Sequence, residues 1–273
     1  MIAVVTIVRG RHDHLAHQQE GLLRSQLRPA LHVVVAMDDH GVDEALVDVP
    51  WDCEVVHVPA PDGRLPLAAA RNAGARVARA RGASVLVFLD ADCIPGPCLL
   101  GAYERAAADP RTARDLLSGP VTYLPPAPAG GYDLARLEEA DDPHPARPAP
   151  APGEVLRSYD DHELFWSLSF AVSPAAWAAI GGFDEAYSGY GGEDTDFAFR
   201  ARRAGVALTW VGSARAFHQH HPVSSPPVEH VADIVCNGRL FADRWGEWPM
   251  RGWLEDLQRH GLVERDGSGW RLV

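Results

Sequence analysis

Hydrophobic positions in the first third of the chain fall into short unbroken runs separated by amphipathic stretches. Ile2–Val8 is a continuous β-branched run, the pattern of a strand buried on both faces. Leu31–Met37 repeats it and ends on Asp38-Asp39. Cys53–Val58 is a shorter third, and Ser84–Leu89, the most apolar, stops on Asp90-Ala-Asp92. Between these runs, Leu15, Leu22, Leu23 and Leu27 mark one helix. Leu67, Ala70, Gly74 and Val77 mark the inner face of another, over Leu67–Ala80. Strand alternating with helix at this spacing predicts a parallel α/β sheet, whose ligands sit beyond the carboxyl ends of the strands. Arg9, Asp38, Asp39, Asp90 and Asp92 fall there.

The second half changes texture. From Leu124 to Arg157 prolines (among them Pro125, Pro126, Pro128, Pro143 and Pro145) and the Gly130-Gly131 pair break any regular element. This predicts a long surface excursion, either a linker or a lid. Leu164–Val172 resumes as a strand, Pro174 opens a helix at an allowed first-turn position, and Val206–Val211 is a further strand. Val228–Trp245 has the spacing of an amphipathic helix, with Val231, Ile234, Val235, Leu240 and Phe241 inward. The tail from Trp248 carries three tryptophans and an Asp266-Gly267 turn. The expected organisation is one domain over residues 1–222 and a C-terminal helical extension over 223–273 packed on it.

Composition narrows the partners. A 273-residue chain with 47% hydrophobic and 23% charged residues has the make-up of a globular protein with a substantial core. Its net charge of -12 argues against a nucleic-acid binder and repels phosphate-bearing ligands. A phosphate substrate therefore needs local arginines or a bound cation. Every basic residue is an arginine. Cys53, Cys93, Cys98 and Cys236 show neither a CxxC pair nor zinc-ligand spacing, as expected of thiols in a reducing compartment. Met1–Val8 reads directly as a strand with no leader pattern, and no apolar run approaches the ~20 residues that span a bilayer. The expectation is a cytoplasmic protein without a transmembrane segment, with peripheral membrane contact left open.

The stretch Tyr187–Phe197 carries the most chemistry. Gly191 and Gly192 allow a sharp turn against a ligand and lead into Glu193-Asp194 at the start of an apolar-periodic helix. These acids suit a sugar-binding floor, and equally suit a helix dipole. Asp90 and Asp92, one residue apart at a buried strand end, can share a hard divalent cation; the plain alternative is a polar strand end in solvent. His218, His220 and His221 add imidazoles suited to Mn²⁺, without spacing to say which of them binds. Arg9, Arg11 and Arg71 are partners for a diphosphate, or for an aspartate that needs orienting. His12, His14 and His17 read as a solvated helix start.

In this order, Arg9-Gly-Arg-His-Asp-His-Leu15, Phe88-Leu-Asp-Ala-Asp92, Gly182-Phe-Asp184, Tyr190-Gly-Gly-Glu-Asp-Thr-Asp196 and His218 resemble metal-dependent glycosyltransferases of the GT-A fold. The layout is similar to family 2, and the C-terminal half to the β-1,4-galactosyltransferase group. The resemblance implies a Rossmann-like, mostly parallel central sheet flanked by helices. It implies Asp92 and His218 as ligands of Mn²⁺ (or Mg²⁺), with Asp90 beside them near the ribose. Asp194 would be the catalytic base and Glu193 an acceptor-binding partner. Tyr190, Gly191 and Gly192 would line the acceptor side, Arg9 and Arg11 would approach the nucleotide, and Asp39 would read its base or ribose. Three departures stand out: Val8-Arg-Gly-Arg11 replaces a Pro-x-aromatic-Asn turn, Tyr190 replaces tryptophan, and Arg215 stands where the galactosyltransferase group has a methionine ligand. His220 is then the candidate to complete the metal shell. The implied activity is inverting transfer of a hexose, galactose-type included, from a nucleotide diphosphate sugar such as a UDP-sugar to an acceptor hydroxyl. Rival readings are retaining chemistry on the same scaffold, a non-catalytic nucleotide-sugar or glycan-binding module, and a nucleotidyltransferase.

Overall fold

A computed structural model describes residues 1–267 and 269–273. The chain runs through β1 (Ile2–Val8), α1 (His12–Arg24), β2 (Leu31–Met37), α2 (Val42–Ala45), β3 (Asp52–Val58), α3 (Leu67–Ala80) and β4 (Val85–Leu89). Next come β5 (Cys93–Pro95), α4 (Leu99–Ala108), β6 (Leu116–Ser118), β7 (Val121–Tyr123), β8 (Val155–Ser158), β9 (Ser169–Val172) and α5 (Pro174–Ile180). The remainder is α6 (Glu193–Arg203), β10 (Leu208–Val211), β11 (Ala216–His218), α7 (Val231–Trp245), α8 (Arg251–Arg259), β12 (Val263–Asp266) and β13 (Gly269–Leu272).

An eight-stranded sheet in the order β3-β2-β1-β4-β9-β6-β10-β8 forms the centre. β1 pairs in parallel with β2 and β4, setting Val5 opposite Val33 and Phe88. Each residue of β1, β2 and β4 is buried, as their unbroken apolar runs require. Ala3, Val5 and Ile7 face a core shared with α3, α5 and α6, while Ile2 and Val4 face a second core shared with α4. β3 is a half-exposed edge strand. Gly74 lets α3 lie against β1, since a Cβ there would meet Val5 Cγ1 at 2.3 Å.

Two expected elements are shorter than their hydrophobic runs. Of Leu164–Val172 only Ser169–Val172 is strand, antiparallel to β4 and β6. Ahead of it, Leu168 O accepts the Asp90 N–H at 3.0 Å, outside any ladder. Val206–Val211 contracts to Leu208–Val211. The Pro-rich excursion is tied down along its length. Pro143 bridges to Thr122, Arg215 reaches Asp141 (3.4 Å) and Pro150 O (3.4 Å), and Val155–Ser158 joins the sheet as its edge strand beside β10.

The C-terminal residues form α7, α8 and a β12–β13 hairpin around Ile234, Leu254, Leu257, Val263 and Trp270. The hairpin is additional to the helices the sequence predicts. α7 then grips the loop ahead of α6. Asn237 Nδ2 donates to Ser188 O (3.1 Å) and Gly191 O (2.9 Å), and Tyr190 N–H donates to Asp233 (3.1 Å). Arg244 and Trp245 Nε1 donate to the fully buried Asp196, at 2.7 and 2.9 Å. Among the described residues no helix is long and apolar enough to cross a membrane.

Candidate active site

The small sheet β5-β11-β7 builds one end of the site through its register. β11 pairs antiparallel with β5 and parallel with β7, so His218 lies opposite Cys93 on one side and Tyr123 on the other. Because Cys93 directly follows Asp92, this pairing delivers His218 to the D-x-D turn. Gln219 N–H donates to Asp92 O at 2.7 Å and locks the turn. The buried Gln18 of α1 holds it from beneath, donating to Asp90 O at 2.7 Å and Cys93 O at 3.2 Å. Nothing in the hydrophobic pattern marks Gln18 for this role.

His218 Nε2 and His221 Nε2 each lie 3.5 Å from Asp92 Oδ2. One donor atom from each of Asp92, His218 and His221 lies within 4.8 Å of the others, a cluster of one carboxylate and two imidazoles that fits Mn²⁺ or a related ion. Arg11 pairs with the same carboxylate oxygen. Burial alone would push the Asp92 carboxyl up, but hydrogen bonds from His218 and His221, with the charges of His218 and Arg11, hold it well below the usual carboxylate range. It is therefore ionised and available to a cation.

The structure redistributes the histidines. His220, expected to complete the metal shell, is exposed and contributes its backbone N–H to Tyr132 Oη (3.0 Å); His221 takes the place beside Asp92. Side chains two residues apart on extended chain share a side, but β11 ends at His218, so strand alternation no longer governs residues 219–221. Arg215, at the position of the methionine ligand, turns to the Pro-rich excursion instead.

The other end of the site is the start of α6. Gly192 caps it at φ 90°, and Gly191 at φ 89° approaches Met250 Sδ so closely that a Cβ would lie 2.7 Å from it. Glu193 is buried and Asp194 half-buried, so Asp194 is the carboxylate open to a substrate. It accepts from Thr195 N–H at 2.7 Å, and the Ser167 N–H faces it. Burial raises its pKa, opposed by the charge of Arg71 and these two donors. Burial and the neighbouring Asp194 charge push Glu193 up to about 7 against the pull of Arg71.

Arg71 joins the two ends. It is 3% exposed, and its guanidinium reaches Asp90 at 3.1 Å and Glu193 at 3.2 Å. Of the two partners the sequence allowed for it, the structure places it with the aspartate to be oriented. Burial pushes the Asp90 carboxyl up to about 6, with the Arg71 charge opposing and the Asp92 charge adding to the rise. Replacing Arg71 by Met leaves the buried Glu193 and the half-buried Asp90 carboxylates unpaired, a loss of about 3 kcal/mol. The loss is larger at pH 8 than at pH 5, where both carboxyls take up protons; urea denaturation at the two pH values checks this.

Glu193 also sets a pH dependence of stability. Its native pKa lies above the ordinary value of 4.5, so the native state holds more protons than the unfolded chain between about 4.5 and about 7, and stability falls as pH rises through that window. His32, held neutral by burial with its pKa lowered to about 4, acts with the opposite sign. The Glu193 contribution is therefore read as a difference. Glu193→Gln loses less stability than the parent protein on going from pH 5 to pH 7.5, as measured by thermal melts.

The remaining expected residues lie around the β1–α1 loop. Asp39 accepts from Gly10 N–H (2.6 Å), Gly41 N–H (3.1 Å) and His12 Nε2 (3.0 Å), so its carboxylate shapes the loop that carries Arg9 and Arg11. Arg9 donates to Gly63 O at 3.0 Å. His12, expected to be solvated, is thus a partner of Asp39. Tyr190 stacks on His230 (ring centroids 4.5 Å) and Trp253 (5.8 Å) of the C-terminal region, which engages the ring expected to meet an acceptor.

With this geometry established, the likenesses to known proteins become informative. Over 95% of this chain and 56% of the other, the structure superposes on GalNAc-T7 crystallised with UDP, GalNAc and Mn²⁺, at a TM-score of 0.59 and 14% identity. S. aureus TarS 1-349 matches over 87% of this chain and 64% of its own, at a TM-score of 0.58 and 12% identity. The family described as the N-terminal domain of galactosyltransferase matches residues 155–222, the segment holding Asp194 and His218. The chain has the GT-A fold, and residues 155–222 carry a galactosyltransferase-type domain. A validoxylamine A glucosyltransferase of Streptomyces hygroscopicus subsp. limoneus is 28% identical over 225 residues, covering 75% of this GT-A chain and 49% of the relative. Its counterpart in subsp. jinggangensis is 29% identical over 209 residues, covering 69% of this chain and 48% of its own. The GT-A chain spans about half the length of the curated relatives it matches.

Proposed function

We propose that this chain is a metal-dependent, inverting hexosyltransferase that moves a hexose, glucose or galactose in type, from a UDP-sugar to an acceptor hydroxyl. One observation carries the reading: a single buried guanidinium, Arg71, touches both Asp90 of the D-x-D turn and Glu193 of the Glu193-Asp194 pair, so the cation end and the base end lie on either side of one side chain. GalNAc-T7 with UDP and Mn²⁺ and TarS with UDP-GlcNAc support the donor class by likeness of fold.

Asp92, His218 and His221 would hold the divalent ion, which supplies Lewis-acid stabilisation of charge on the departing diphosphate. Arg11, beside Asp92, adds a fixed positive charge to the same place, which an acidic protein of net charge -12 needs for any phosphate ligand. At the other end Asp194 takes the proton of the acceptor hydroxyl as its oxygen bonds to the anomeric carbon. The Thr195 N–H fixes its orientation, and its raised pKa makes it a stronger base. Glu193, bound to Arg71, positions the helix start. One base facing one leaving group is the requirement of a single displacement, and hence of inversion. Four free cysteines fit a reducing, cytoplasmic setting.

The test is Mn²⁺-dependent release of UDP from UDP-glucose and UDP-galactose against an acceptor panel, with the anomeric configuration of the product read by NMR. Turnover with inversion is expected. Retention of configuration overturns the single-displacement mechanism, and nucleotide-sugar binding without turnover on any acceptor favours a binding module.

A further inference from the structure

Arg147 lies in the Pro-rich excursion, yet it is only 5% exposed, and none of its three guanidinium nitrogens has a hydrogen-bond acceptor among the described residues. A buried charge in that state needs compensation. Two indoles provide it. The guanidinium lies 4.7 Å from the Trp166 ring and 5.7 Å from the Trp210 ring. Trp210 is fully buried in the sheet core, whereas Trp166 is only half-buried. Arg147 therefore braces Trp166 against the body of the domain and leaves part of its ring accessible.

What Trp166 borders gives this brace a purpose. The next two residues belong to the site: the Ser167 N–H faces the Asp194 carboxylate, and Leu168 O accepts from the Asp90 N–H. In the other direction an aromatic row leads to the cation ligands. Trp166 meets the edge of His144 (5.1 Å), His144 meets Tyr123 (5.4 Å), and Tyr123, 45% exposed, stacks on His218 (4.6 Å). An accessible aromatic wall thus runs from the metal-ligand end of the site to the segment that anchors the base. A hexose tethered to a diphosphate near Asp92, with its anomeric carbon within reach of Asp194, has to lie along that wall. The apolar C–H face of a pyranose is what an aromatic surface recognises, with the polar groups fixing its orientation.

We propose that Trp166 is the platform for the donor's hexose ring and that Arg147 is the positioning residue that holds the platform in place. The excursion is then a fixed wall of the donor site. This inference rests on the UDP-hexose reading above, and the experiment separates the two. UDP, UDP-glucose and UDP-galactose are titrated by calorimetry, with Mn²⁺ present, into the parent protein, Trp166→Ala, Trp166→Phe, Arg147→Met and Arg147→Lys. Tryptophan fluorescence is followed in parallel. UDP binds all five proteins with equal affinity, which also reports that each is folded. Trp166→Ala weakens the UDP-hexose alone, by about 5- to 10-fold, and Trp166→Phe restores most of it. Arg147→Met shows the same selective loss and Arg147→Lys regains part of it. The fluorescence change that hexose adds to that of UDP disappears in Trp166→Phe. An unchanged ratio of UDP to UDP-hexose affinity in Trp166→Ala and Arg147→Met overturns the platform while the nucleotide site stands. If Trp166→Ala does not fold, persistence of the hexose-specific fluorescence change in Trp166→Phe overturns it equally. A parent protein that binds neither UDP nor UDP-hexose removes the functional reading and the platform with it.

Discussion

Replacing Asp194 by Asn lowers kcat by ~10²–10⁴-fold, the range that a positioned general base contributes. The affinity for UDP-sugar stays within about twofold, because the change keeps the volume and the acceptor oxygen that meets the Thr195 N–H and removes only the proton-accepting charge. The measurement is steady-state kinetics with the best acceptor, beside calorimetric donor binding. Near-normal turnover in Asp194→Asn would transfer the role of base to another group. Glu193 is the poorer substitute. It is buried and bound to Arg71, and its pKa of about 7 leaves much of it protonated at neutral pH. Glu193→Gln accordingly costs less in kcat than Asp194→Asn.

Loss of the cation is the second large effect. Asp92→Ala removes the one ionised ligand of the cluster and lowers kcat/KM by ~10²–10³-fold, the equivalent of several kcal/mol of stabilisation of the leaving diphosphate. Chelation of the parent protein with EDTA gives a loss of similar size, reversed by Mn²⁺. The histidines make the experiment more specific. His221→Ala weakens Mn²⁺ binding, followed by electron paramagnetic resonance of the free ion, whereas His220→Ala does not, since only His221 lies beside Asp92. Equal losses in both variants, or none in either, would contradict the geometry of the cluster.

The proposed base and the proposed cation ligands lie at separate places in the chain, and two buried residues, Arg71 and Gln18, hold the segments that carry them. Arg71 is visible in the sequence as an arginine at the start of a helix, but its pairing with both Asp90 and Glu193 depends on α3 lying beneath the ends of β4 and α6. Gln18 is invisible in the sequence. A glutamine on the inner side of an amphipathic helix departs from the pattern without saying what it bonds. Trp166 and Ser167 are hidden in another way. Their run is apolar enough to read as strand, and the departure from the sheet becomes intelligible only when the Asp90 N–H is seen to donate to Leu168 O, with Ser167 turned toward Asp194.

Local chemistry was enough for the buried parallel strands, the helices between them and the two acidic motifs, because full burial demands unbroken apolar runs and a sharp turn into a helix demands glycine. Those constraints act over a few residues and leave a direct trace in the order of side chains. His218 was brought to the cluster by a strand pairing that sets it opposite Cys93, over a hundred residues away in the chain, and His221 rather than His220 by the path of the chain beyond that strand. The same holds for Tyr190, which the C-terminal region stacks upon, and for the Pro-rich segment, which a buried arginine pins to two indoles. Each of these outcomes is fixed by long-range packing, whose energy depends on which surfaces meet, and no short stretch of sequence carries that information.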